Sequence, residues 1–117
     1  MEHWEQIEQE AVTKYMRTKW PNVLWSASVG GLITTIGQRV KMHKMGYNKG
    51  IPDILIFEPR KGYHGLYIEL KKSEKYGASV LSKEQKQWIS NLNSKGYLAM
   101  CCKGKHAAIQ EIYKYLS

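Results

Sequence analysis

The sequence predicts an α/β (α+β) fold: a mixed β-sheet flanked by helices. Residues 3–19 and 105–116 carry apolar side chains at helical spacing. The runs 53–57, 64–72 and 97–102 are short, apolar and rich in β-forming residues. The two kinds of element alternate along the chain, which calls for stacked layers rather than a bundle or a sandwich. With 117 residues the chain fits one domain, 1–117, able to bury about two thirds of its unfolded surface.

In residues 3–19, Trp4, Glu8, Ala11, Val12, Tyr15 and Met16 fall on one broad helical face, and Pro21 and Asn22 stop the helix. Val23–Ser28 reads as a short strand, broken by Val29-Gly30-Gly31. Residues 32–45 mix Lys and Met with Ile and Val, with a basic helix expected near 36–45; Gly46 and Gly50 bracket the turn that follows. Pro52 leads into the strand 53–57, and the polar turn Glu58-Pro-Arg-Lys-Gly62 is short enough to pair it with 64–72 as a hairpin. Ser82-Lys-Glu-Gln85 has the form of a capping box opening a helix to Ser94, which Gly96 closes. Residues 97–102, YLAMCC, form the next strand. In 105–116, Ala108, Ile109, Ile112, Tyr113 and Leu116 point inward. Trp4, Trp20, Trp25, Trp88, Tyr97 and Tyr113 are expected in the core.

Apolar residues make up 43% of the chain and charged residues 24%, a folded rather than disordered composition. Lys and Arg number 18 against 10 Asp and Glu, and a net charge of +8 suggests a polyanionic partner, most simply nucleic acid. No apolar run approaches the roughly 20 residues of a membrane span. The opening MEHWEQIEQE is acidic and polar, unlike a signal peptide. Cys101 and Cys102 are adjacent, a strained geometry for a disulfide, and two thiols cannot close a zinc site. They read as buried thiols of a reducing compartment, the cytoplasm. The four histidines show no metal-ligand spacing.

The chemistry is concentrated in Ile51-Pro52-Asp53 and, after fifteen residues, Glu69-Leu70-Lys71. Alternation along a strand puts Tyr67, Glu69 and Lys71 on one face and Leu66, Ile68 and Leu70 on the other. The apolar set is the core face. A solvated face explains the charged set taken alone. Asp53 changes that reading: if the two strands pair, its carboxylate comes within roughly 5 Å of Glu69. Two carboxylates that close repel unless a cation lies between them. Hard oxygen donors select Mg²⁺ or Mn²⁺ over zinc. Lys71, about 7 Å further along, would reach a water or phosphate held there.

Gly50-Ile-Pro-Asp53 with Glu69-Leu-Lys71 resembles the PD-(D/E)XK nucleases, and the fuller pattern resembles one branch of them, the VRR-NUC domains. That branch has a helical Glu, a Gly-x-Pro-Asp, a Glu-x-Lys and a Gln opening the next helix, here Gln85. The resemblance covers most of the chain and implies a restriction-endonuclease-like sheet and metal-dependent hydrolysis of DNA phosphodiester bonds. It implies Asp53, Glu69 and the Leu70 backbone oxygen as ligands of Mg²⁺ or Mn²⁺. Lys71 would orient or deprotonate the attacking water. The helical acid is Glu8 or Glu5; Glu8 shares a face with Ala11, Val12 and Tyr15 and is preferred. Small stand-alone members resemble Holliday-junction resolvases, which implies a homodimer and branched DNA, a four-way junction or a flap.

Arg39, Lys41, Lys44 and Lys49 form the densest basic run and, with Lys83, are the candidates for phosphate contacts; a solvated helix face is the alternative. Tyr47, inside that run, could stack on a base.

Overall fold

A computed structural model describes residues 3–28, 30 and 35–117. Val29 and residues 31–34, which hold part of the expected glycine break and the start of the basic stretch, lie outside the described residues. The element order is α1 (His3–Lys19), β1 (Trp25–Ala27), α2 (Ile36–Lys44), β2 (Ile54–Ile56), β3 (Leu66–Lys71), a 3-10 turn (Glu74–Tyr76), α3 (Lys83–Ser94), β4 (Leu98–Lys103) and α4 (Lys105–Leu116). This is the alternation expected from the sequence, with most element ends moved by one or two residues.

The sheet order is β1-β2-β3-β4. β1/β2 and β2/β3 are antiparallel, the second pair being the expected hairpin, and β3/β4 is parallel. The sheet is therefore mixed, because α3 carries the chain back to start β4 alongside β3. β1 is half the length that the sequence suggests. Its ladder runs one step beyond each end, however: Phe57 N–H donates to Leu24 O at 2.9 Å and Ser28 N–H donates to Asp53 O at 2.8 Å.

The core lies on one sheet face. Leu66, Ile68 and Leu70 of β3 are buried there, as predicted from their alternation, beside Ile54 and Ile56 of β2. Val12 and Met16 of α1 and Ala108 and Ile112 of α4 cover them. Each such aliphatic side chain contributes about 1.5–3 kcal/mol. The two cysteines are free thiols in β4; Cys102 is buried and Cys101 half-buried, and burial pushes the Cys102 thiol up to about 12.

The aromatic residues lie further out than their inward spacing suggests. Trp20 and Trp25 are half-buried against the core, and Trp4, Trp88 and Tyr97 are half-buried as well. A ring of that size covers the margin of a small core more readily than it fits inside. Tyr113 is half exposed, and Tyr115 is buried in its place. Tyr115 buries its ring and still finds a partner, because its hydroxyl donates to Glu58 O at 2.7 Å. Tyr113 lies on the surface, 6.5 Å from the Trp20 ring, under the Lys19 ammonium.

Candidate active site

The other sheet face carries the polar cluster. The β2/β3 register pairs Ile54 with Ile68, so one step further Asp53 stands opposite Glu69. Asp53 is held at both ends: its carbonyl accepts from Ser28 N–H, and its Oδ2 accepts from Leu70 N–H at 2.8 Å. Glu69, only 4% exposed, shares a hydrogen bond with Asp53. Burial first, then that bond and the Asp53 charge, push its carboxyl up to about 9, while Lys71 pulls the other way. Two carboxylates this close disfavour a second negative charge where no cation separates them.

Backbone geometry supplies a third oxygen. Leu70 N–H points toward Asp53, whereas Lys71 O accepts from Gly104 N–H on the β4 side. Successive residues of a strand present their polar groups to opposite edges, so the Leu70 carbonyl also faces the Asp53 edge.

These groups open into a cavity of about 530 Å³ lined by Glu5, Asp53, Glu69, Leu70, Lys71 and Gln85. Arg39, His43, Tyr47 and Lys49 close it from the side of α2 and the loop after it. Of the expected phosphate contacts, Arg39 and Lys49 line the cavity; Lys41, Lys44 and Lys83 are exposed outside it. Lys49 also pairs with Glu84 at 3.5 Å, a solvent-exposed contact of little energy. Gln85 serves twice. It completes the predicted capping box, its Oε1 accepting from Ser82 N–H at 2.9 Å, and the cap fixes the side chain that lines the cavity.

Glu8 is a correction. It is buried as expected, but its carboxylate accepts from Lys105 N–H at the start of α4 and does not line the cavity. The cause is local. The N-cap of α4 is Gly104, which has no side chain to satisfy the first helical N–H groups, so a carboxylate from α1 does so instead. Glu5, one turn earlier on α1, reaches the cavity, and its charge raises the Glu69 carboxyl further. Glu8→Ala should therefore destabilise the fold by about 1–2 kcal/mol with cleavage by the folded fraction retained. Glu5→Gln should reverse the pattern, lowering cleavage with little change in Tm.

Sequence reasoning missed His43 as a lining residue, although it stands four positions after Arg39, on the same helical face. It also missed the latch that sets the loop: Trp88 Nε1 donates to Lys49 O at 3.0 Å, tying the loop to α3. Gly50 makes that approach possible. Its φ is +96°, and a Cβ there would lie 2.7 Å from the Glu84 backbone carbon. Gly50→Ala is expected to cost about 2 kcal/mol in chemical denaturation and to weaken cleavage by shifting Asp53's approach.

The chain matches the VRR-NUC domain model over residues 2–106. It belongs to the VRR-NUC domain family. A solved structure described as a VRR_NUC domain protein superimposes with a TM-score of 0.74 at 27% identity, covering 99% of this chain and 89% of that one. No curated protein matches the chain. A VRR-NUC domain is a nuclease domain, which makes DNA its substrate class and accounts for the basic composition. In this VRR-NUC domain the helices and the mixed four-stranded sheet form an α+β fold. Among the described residues, no helix is long and apolar enough to cross a membrane.

Among the described residues, no three His, Cys, Asp or Glu side chains form a ready ligand cluster. The donor set is two carboxylates and a main-chain carbonyl. That set fits Mg²⁺ or Mn²⁺, which take one or two carboxylates and fill the remaining positions with water and substrate phosphate. It does not fit zinc, which prefers closed sets of nitrogen and sulfur.

Proposed function

We propose that the protein is a Mg²⁺- or Mn²⁺-dependent endonuclease of the PD-(D/E)XK type, hydrolysing phosphodiester bonds in branched DNA. The observation that carries the reading is the Asp53–Glu69 pair, opposed across the β2/β3 ladder in a cavity that also holds Lys71. Asp53, Glu69 and the Leu70 carbonyl would hold the ion. When bound, it lowers the pKa of a coordinated water and stabilises charge on the scissile phosphate.

Leu70 N–H and Ser28 N–H fix Asp53, so its carboxylate needs no reorganisation on binding. Lys71 shares the Glu69 face of β3 and orients or deprotonates the water while offsetting phosphate charge. Gln85, held by its cap, and Glu5, both lining the cavity, position the water. Arg39 and Lys49 take the flanking phosphates.

The substrate is a four-way junction or a flap and the protein acts as a homodimer, because a junction presents two symmetric strands and a two-fold pair of sites meets both. The test is incubation with linear, nicked, flapped and four-way DNA of equal length, in Mg²⁺, Mn²⁺ and EDTA. Cleavage of branched DNA that EDTA removes is expected. Cleavage confined to linear or nicked duplex would move the substrate. Binding without cleavage in either metal would leave a DNA-binding module and end the enzymatic reading.

A further inference from the structure

Helix α2 has no buried residue. A nine-residue helix is marginal in water without tertiary support, so one with no buried side chain is held mainly by its capping box, Thr35 with Gln38, and by its lean on the cavity. Even so, it carries large aliphatic side chains in the open: Ile36 is 75% exposed and Val40 50%. Their placement is specific. Positions 36, 39, 40 and 43 form one i, i+3, i+4, i+7 stripe, and Arg39 and His43 of that stripe line the cavity. The two aliphatic residues therefore flank the lining residues along the same stripe, exposed beside the cavity.

We infer that Ile36 and Val40 form an apolar edge that packs on the exposed face of unstacked bases at a DNA branch point, while Arg39 on the same stripe holds the adjacent phosphate. This rests on the nuclease reading of the cavity and names what selects branched DNA there. Charge identifies the occupant. Arg39, Lys41 and Lys44 make α2 cationic, with no acidic residue along Ile36–Lys44. A second copy would set two such helices against each other, and like charges disfavour that. A polyanion is favoured, but it must also offer an apolar face. Continuous duplex presents only phosphates and groove edges. A branch point exposes the flat face of a terminal base pair, and Ile, Leu, Met and Phe wedges pack against such faces in DNA-bending proteins. Beside the cavity that holds the acidic pair, such a wedge would bring the strand leaving the branch toward Lys71.

The test is the double substitution Ile36→Gln/Val40→Gln. Gln keeps helix propensity, and Ile36 and Val40 are already largely exposed, so the variant keeps most of its Tm. Binding of four-way and linear DNA is measured by fluorescence anisotropy in EDTA, which makes it independent of hydrolysis. Wild type should prefer the junction, and the variant should lose at least tenfold in the ratio of junction to linear affinity. 2-Aminopurine at the branch should brighten with wild type, because a base held unstacked against aliphatic side chains loses the stacking that quenches it, and should brighten less with the variant. By contrast, Arg39→Ala should weaken both DNAs and reduce the salt dependence. An unchanged ratio, no junction preference in wild type, or a wild-type dimer that the double variant dissolves would each overturn the proposal. Selective binding without Mg²⁺-dependent cleavage would instead sink the nuclease reading and leave this one standing.

Discussion

Asp53→Asn is expected to leave a folded protein that still binds DNA and cleaves it at least about 10³-fold more slowly, a loss of about 4 kcal/mol of transition-state stabilisation. The amide is isosteric and its carbonyl oxygen can still accept from Leu70 N–H, so the local backbone keeps its support. What disappears is one of two negative charges in the donor set. Lys71→Ala is expected to give a similar loss for another reason. It removes the ammonium placed on the Glu69 face of β3, and with it the group proposed to orient the water. A gel assay on synthetic junctions reads both effects. Cleavage by either variant at the wild-type rate would remove the mechanism.

Glu69→Gln is expected to abolish cleavage and, in EDTA, to make the protein more stable. Burial and Asp53 hold the Glu69 carboxyl at about 9, well above the 4.5 of an unperturbed carboxyl. Between those values the native state binds the proton more tightly than the unfolded chain does. That contribution to stability is fully present below about pH 4.5 and is lost as pH rises through about 9. Wild type in EDTA should therefore lose stability steadily across that range. The substituted amide is neutral at every pH, and it can donate to Asp53 as the protonated carboxyl does. At pH 8 the variant should exceed wild type by on the order of 2 kcal/mol, several degrees in Tm. Equal melting curves at pH 5 and pH 8 for wild type in EDTA would refute the close like-charge pair. A buried carboxyl set beside a second one, at a cost to the fold once both ionise, belongs to a general pattern, in which function holds groups where stability alone would not.

Much of this site is legible in the chain itself. The alternation of Leu66, Ile68 and Leu70 against Tyr67, Glu69 and Lys71 defines both faces of β3, because a strand has only two. The capping box at Ser82 places the start of α3 and hence Gln85. The glutamate of α1 is harder to place. Helical periodicity turns Glu8 inward, and it is inward, but periodicity cannot say which partner a buried face meets. The bare Gly104 at the start of α4 decides that, through a contact ninety-seven positions away in sequence. Tyr113 and Tyr115 show the same limit: a two-residue difference on a helix end is settled by whether a hydroxyl finds a carbonyl, here Glu58 O. The loop latch from Trp88 to Lys49 stays hidden because an indole N–H leaves no periodic trace.

Calorimetric titration of Mn²⁺ into wild type, Asp53→Asn and Glu69→Gln tests the central claim most directly. Saturable uptake by wild type, absent from both variants while their folds persist, is the predicted result. No uptake by wild type, or uptake that survives both substitutions, would contradict it.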